Sequence, residues 1–285
     1  MEKHEHEVTG DGQLPVVRMI VLETDEPHRE TQSRRGTFGE ILHHHFAAAG
    51  KAHDPPLGIE TDRRFIVTEN GGTMPKFSDF EDCHALLITG SVYDAHGDNP
   101  WILELLDLLK KLWIHHPKLL FSGVCFGHQL ICRLLGAEIA RSPSGDWELG
   151  HSAINLNDIG KCLFRTEDDK VYLHQMHQDQ VVEPPTPSSS NGLLGPETKV
   201  KVWGWSDHTK VQGIYIRDRV FTAQAHLAFD QGMVLKQIEM RVESGCIEDM
   251  EHADEAAETA DLEHDGEMVA AAILRFFHGN DTSIE

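Results

Sequence analysis

The sequence predicts an α/β fold: a doubly wound, mostly parallel sheet flanked by helices, in a single domain. Three observations predict it. Continuous apolar runs at Pro15–Leu22 and Ala85–Thr89 read as strands buried on both faces. Helical spacing over Gly36–Gly50 and from Pro100 to Trp113 puts helices between such runs. The stretch Lys118-Leu-Leu-Phe-Ser-Gly-Val-Cys-Phe-Gly-His-Gln-Leu-Ile-Cys-Arg-Leu-Leu-Gly136 then reads as strand, tight turn and helix, with a cysteine at the apex.

In chain order, residues 1–14 read as a disordered tail and 15–280 as the domain. Pro15–Leu22 is the first strand, the polar stretch Glu23–Arg35 a loop, and Gly36–Gly50 a helix ended by glycine. Asp54-Pro55-Pro56 breaks the chain before a second strand at Arg64–Thr68 and a third at Ala85–Thr89. A turn at Gly90-Ser91 leads to Asn99-Pro100, where Asn as N-cap and Pro at the first helical position start a helix. Trp101, Leu105, Leu108, Leu109 and Leu112 fall on its buried face. Beyond Gly136, Ser152–Asn157, Val171–Leu173, Lys199–Trp205, Val211–Ile216 and Val220–Ala225 are short β-like runs, and Pro184–Gly195 is a mobile Pro/Ser/Gly loop. Gln231–Glu243 is helical. The acidic segment 248–267 reads as a solvated helix or loop, with binding to a partner as the other reading, and Met268–His278 closes the domain.

Gly123 and Gly127 flank Cys125 because so sharp a strand-to-helix turn brings backbones together and needs unusual φ/ψ. The turn lifts the thiol from the sheet to a helix N-terminus, where partial positive charge favours thiolate. Cys125 is therefore expected to be the most reactive thiol. Taken alone, Gly-x-Cys-x-Gly also fits an inert cysteine on an ordinary βα turn. Gly136 is placed to cap the helix.

Composition excludes several classes. A net charge of −22 disfavours nucleic acid and anionic membrane as partners. No apolar run is long enough for a membrane span, and Met1-Glu-Lys-His-Glu-His-Glu is too polar for a signal peptide, which points to the cytoplasm. Five scattered cysteines without Cys-x-x-Cys pairs indicate a reducing compartment. Among twenty histidines, His43-His44-His45 lies on a helix, where neighbours diverge by about 100° and read as solvated. No His-Glu-x-x-His spacing occurs, so no metal and no cofactor are expected.

A thiol nucleophile needs a base and an oxyanion hole. His226, where a strand ends in Gln224-Ala-His226, is the candidate base, and His177 in His177-Gln178-Asp179 is the other histidine in a promising context. The backbone N–H groups of Phe126 and Gly90 are the oxyanion candidates. These segments, with Ile88-Thr-Gly-Ser91, Gly123-Val-Cys-Phe-Gly-His-Gln129 and Trp147-Glu-Leu-Gly150 in the same order, resemble the triad-type class I glutamine amidotransferase family. The run through Pro100-Trp-Ile102 is closest to its stand-alone branch, which includes γ-glutamyl peptidases and GMP-synthase-type glutaminase domains.

The resemblance implies a flavodoxin-like sheet, with Cys125 attacking a γ-glutamyl amide and His226 carrying the proton. Gly90 and Phe126 would hold the oxyanion, and Gln129, His177, Gln178 and Asp179 would touch the glutamyl moiety. It implies a small-molecule substrate, glutamine or a γ-glutamyl compound, and a glutamyl thioester. One departure stands out. The family's His-Pro-Glu is here His226-Leu227-Ala228, so the carboxylate that orients the histidine is missing, and Asp230 is aimed elsewhere by the helix start. Two further readings stay open: a catalytically impaired pseudoenzyme, and a binding subunit of a separate synthetase.

Overall fold

The computed structural model describes residues 7–9 and 14–281. Most of the expected disordered tail lies outside the described residues, but Glu7–Thr9 form an edge strand, β1. The central sheet then takes β2 (Val16–Glu23), β3 (Gly58–Phe65), β4 (Ala85–Ile88) and β5 (Leu120–Val124), with the late strands β10 (Lys201–Val202), β12 (Ile214–Ile216) and β13 (Val220–Ala223). Its order is β1-β3-β2-β4-β5-β13-β12-β10. The five strands from β3 to β13 run parallel, and antiparallel pairs close both edges.

Both faces are covered, which is why the central strands lack polar alternation. Along β2, Met19 and Val21 enter one core, while Ile20 and Leu22 enter the other. β4 repeats this, with Ala85 and Leu87 on one side and Leu86 and Ile88 on the other. The first core is closed by α2 (Phe38–Ala52) and α8 (Gly266–Phe277), and the second by α3 (Pro100–His115) and α4 (Phe126–Leu134).

Local signals explain most boundaries. α2 starts at a capping box in which Thr37 and Glu40 satisfy each other's backbone N–H groups. α4 ends in a Schellman pair: Gly136, at φ +88°, donates to Arg133 O and Ala137 donates to Cys132 O. Pro100 opens α3, but the Asn99 side chain makes no capping bond.

Other expectations are corrected. The second strand starts six residues earlier than expected. β3 pairs along the whole of β2, and its charges are carried by ion pairs such as Arg63–Glu40 and Arg64–Asp62. The expected loop before α2 holds a helix, α1 (Arg29–Arg35), capped by the His28 ring. His43 is buried, with Nδ1 2.9 Å from Thr61 Oγ1, rather than solvated. The Pro184–Gly195 loop is anchored, since Leu194 is buried and Trp113 Nε1 donates to Leu193 O.

A smaller three-stranded sheet stands beside the main one, formed by β7 (Glu148–Leu156), β8 (Lys170–His177) and β11 (Gly204–Trp205). β7 and β8 are longer than expected and pair from Glu148↔His177 to Asn155↔Lys170. β6 (Ile139–Arg141), β9 (Asp179–Val181) and α5 (Asp158–Phe164) are too short to show as periodic patterns. α6 (Gln231–Glu243) falls where expected. The acidic segment contains α7 (Met250–Glu258), which buries Ala253 and Ala256 in a third core and turns its acids outward. No helix among the described residues is long and apolar enough to cross a membrane.

A close backbone approach to the sheet lies at the β5–α4 turn. A Cβ on Gly127 would stand 2.2 Å from Ile88 O. Gly127→Ala should therefore destabilise the fold by about 2 kcal/mol or more, the upper range for overpacking, measured as a lowered urea midpoint at unchanged slope.

Candidate active site

At the end of β5 the backbone of Cys125 adopts φ +53° and ψ −109°. Such a conformation costs a side-chain-bearing residue on the order of 1–3 kcal/mol and persists only where its surroundings enforce it. The enforcement is visible. Cys125 N–H donates to Ala223 O on β13 at 2.9 Å, and Cys125 O accepts from Gln129 N at 3.1 Å. A Cβ on Gly123 would lie 2.4 Å from Gly127 C, so both flanking glycines are required by close backbone approach.

Gly90 sits beside the thiol. A Cβ there would lie 2.9 Å from His226 Cε1 and 3.6 Å from Cys125 Cβ, so this glycine, the imidazole and the cysteine meet in one place. The turn is held from below by β2. Thr24 Oγ1 donates to Gly90 O at 3.0 Å, Ser91 Oγ donates to Thr24 O at 2.7 Å, and Asp25 Oδ2 accepts from Val92 N–H at 2.9 Å. With its carbonyl tied back, Gly90 keeps its N–H out of any protein hydrogen bond among the described residues. The Phe126 N–H, at the first turn of α4, lies next to Cys125 and favours the charged form of its sulfur.

His226 follows β13 and is held through its backbone, whose N–H donates to His174 O on β8 at 2.9 Å. Its ring stacks on Phe229, with centroids 3.9 Å apart and planes 16° apart. Among the described residues no carboxylate reaches it. Ala228 has no acceptor, and Asp230 is committed to the N-cap of α6, accepting from Met233 N–H, and to an ion pair with Arg35. Burial pushes the His226 imidazole down to about 3, helped by the fields of His177, Arg241 and His174. Burial likewise pushes the Cys125 thiol up to about 12, against the Phe126 N–H and Arg241. The expected thiolate is thus corrected: at 5% exposure, desolvation outweighs the helix terminus, and the resting pair is a neutral thiol beside a neutral imidazole.

Cys125 lies where two spaces join. One is a small cavity of about 40 Å³, apolar for the most part, which reaches Ala228 and Phe229. The other is an open cleft of about 1020 Å³, lined by Gln178, Asp179, Trp147 and Arg241 among others. The β7–β8 register fixes its floor. Glu148 lies opposite His177, and Glu148 Oε2 approaches His177 Nε2 to 3.1 Å in a buried contact not aligned as a hydrogen bond. The neighbouring His177 and His208 hold the Glu148 carboxyl far below its ordinary range, against the cost of burial.

The structure brings Cys125, His226, Gly90 and Phe126 together and sets the other four expected residues along the cleft. His177 cannot serve as base, since Nδ1 is bonded to Asp179 O at 3.0 Å and Nε2 faces Glu148. Gln129 acts as a brace: its amide donates to Asp179 O at 2.7 Å and to Gln224 Oε1 at 3.1 Å. Gln178 donates to Gly145 O, and the Asp179 carboxylate faces His96 Nδ1 at 3.3 Å. Sequence reasoning missed Glu148, Phe229 and Arg241. The quoted Trp147-Glu148 motif held a signal for the first, but nothing local marked the other two.

Comparison with known proteins bears on this geometry. Residues 76–233 match the family model for glutamine amidotransferase class-I. A glutamine amidotransferase-like protein of Schizosaccharomyces pombe is 24% identical over 258 residues, 90% of this chain and 97% of that protein. Gamma-glutamyl peptidase 2 of Arabidopsis thaliana is 31% identical over 184 residues, 64% of this chain and 68% of the relative. The crystal structure of a glutamine amidotransferase from Thermotoga maritima superposes with a TM-score of 0.64 at 17% identity, covering 92% and 98% of the two chains.

The neutral thiol makes a labelling order testable. At neutral pH, iodoacetamide should modify the exposed Cys162 and Cys246 first and Cys125 slowly, with the Cys125 rate climbing steeply at alkaline pH. Peptide mapping over time reads this, and early labelling of Cys125 would mean a resting thiolate.

Proposed function

Because the chain belongs to the class I glutamine amidotransferase family, we propose that it is a cysteine-dependent hydrolase or transferase of γ-glutamyl amides. The observation that carries this reading is the strained Cys125 lining one small cavity with His226, both residues within 4 Å of where a Cβ on Gly90 would stand. Strain of this kind has no packing benefit of its own, so its retention fits a nucleophile elbow.

The proposed chemistry starts from neutral partners. Cys125 Sγ attacks the γ-amide carbon as its proton passes to His226, which a depressed imidazole still accepts once the sulfur bonds to carbon. The oxygen gains charge and takes hydrogen bonds from the Gly90 and Phe126 N–H groups. His226 returns the proton to the departing nitrogen, the C–N bond breaks, and a glutamyl thioester remains on Cys125. Water, deprotonated by His226, or another nucleophile then releases the glutamyl group and restores the thiol. The cleft is much larger than glutamine requires, which supports a γ-glutamyl conjugate with the His177–Asp179 wall toward the glutamyl end.

The lack of a carboxylate at Ala228 favours a second reading, a binding protein that keeps the pocket with impaired chemistry. Purified protein incubated with glutamine and with glutathione, assayed for ammonia, glutamate and cysteinylglycine, separates these readings. Turnover lost in Cys125→Ala and His226→Ala supports the hydrolase, and its absence in the wild type supports the binding protein. In an active protein, Ala228→Glu should raise kcat about tenfold by fixing the tautomer of His226, and an unchanged kcat would mean that another group already does so.

A further inference from the structure

We propose that Phe229 is a positioning residue for His226: its ring holds the imidazole plane and stabilises the protonated base, in place of the carboxylate that position 228 lacks. The inference rests on the reading of His226 as the proton acceptor. The two rings lie 3.9 Å apart between centroids and within 16° of parallel, closer than any other ring pair among the described residues. Phe229 is 6% exposed and is backed by Phe38, whose ring stacks behind it at 6.4 Å and 19°. On the edge of the imidazole, Gly90 leaves no more than van der Waals room at Cε1. The ring is thus gripped by stacking on a face and by packing on an edge.

Charge supplies the second half of the argument. The titratable and charged groups near His226 are Cys125, His174 and His177 on β8, Arg241 on α6, and Asp25 across the small cavity. The two histidines and the arginine all oppose a positive imidazole, and the Asp25 carboxylate is spent on the Glu26 and Val92 N–H groups. An aromatic face carries partial negative charge. Phe229 is therefore the neighbour in direct contact whose field favours the imidazolium that forms when Cys125 gives up its proton. Stacking of this kind does by dispersion and quadrupole what a carboxylate does by hydrogen bond, with less strength and no choice of tautomer.

Three substitutions test it. Phe229→Leu keeps bulk and removes the ring, and should lower kcat about tenfold with KM unchanged. Phe229→Tyr should keep wild-type kcat. Pentafluorophenylalanine at 229 keeps the shape and inverts the face charge, and should lower kcat while holding the ring. Carbon-13 relaxation of the His226 ring supplies a readout that needs no turnover: rigid in the wild type, Tyr and pentafluoro proteins, mobile in the Leu protein. In an Ala228→Glu background the loss caused by Phe229→Leu should shrink. Wild-type kcat and a rigid His226 in a folded Phe229→Leu protein would overturn the proposal, as would a loss confined to KM or to thermal stability. If Phe229→Leu does not fold, the pentafluoro protein decides, and full kcat there overturns the electrostatic role. A wild type without turnover on any γ-glutamyl compound defeats the hydrolase reading instead, and His226 relaxation then decides alone whether Phe229 positions the ring.

Discussion

At the tip of β5 the chain turns so sharply that Gly127 comes to rest against the Ile88 carbonyl and Gly123 against Gly127, and the arrangement of the site depends on that contact. It locks α4 onto the ends of two central strands, so Cys125 must take a positive φ and raise its sulfur above the sheet. The parallel order β2-β4-β5-β13 then does the rest. β4 delivers Gly90 from one side and β13 delivers His226 from the other, each one strand away from the thiol. β2 stands behind Gly90 and ties its carbonyl down through Thr24. A nucleophile at the carboxyl ends of parallel strands, between loops from its two neighbours, is where open α/β sheets place reactive groups.

Burial sets the electrostatic character of the site. Enclosing Cys125 and His226 favours the uncharged form of each, and no carboxylate among the described residues offsets this at the imidazole. The buried Glu148–His177 contact, with the His177 Nδ1 bond to Asp179 O, instead serves structure: it holds the end of β8 and the turn into β9, from which the cleft wall at Asp179 is built. Gln129 braces that wall against α4, which ties the cleft wall to the helix that follows the nucleophile. A neutral dyad has a physical consequence. Charge appears only as substrate reacts, so the N–H groups of Gly90 and Phe126 and the face of Phe229 matter most in the transition state.

The parts legible in the sequence are those governed by local rules. Apolar runs marked β2, β4 and β5 because helices cover both their faces. Glycines around Cys125 marked the elbow, since close approach leaves no alternative residue. β3 was displaced because its charged residues are neutralised by partners on α2 and within the strand, which no window of sequence contains. Cys125 and His226 were readable as a pair of motifs, but their protonation was not, because burial is a property of the folded whole. Glu148 becomes a partner of His177 only through the antiparallel register, and Phe229 gains its relation to His226 through ring stacking on a tight turn rather than through spacing.

The most direct measurement follows the sulfur itself. Protein mixed with a γ-glutamyl amide, quenched in acid within one turnover and digested with pepsin, should yield the peptide around Cys125 carrying a glutamyl group in thioester linkage, sensitive to hydroxylamine and absent from His226→Ala. Turnover without that adduct, or an adduct on Cys132, Cys162 or Cys246 instead, would contradict an account in which the strained cysteine at the end of β5 is the nucleophile.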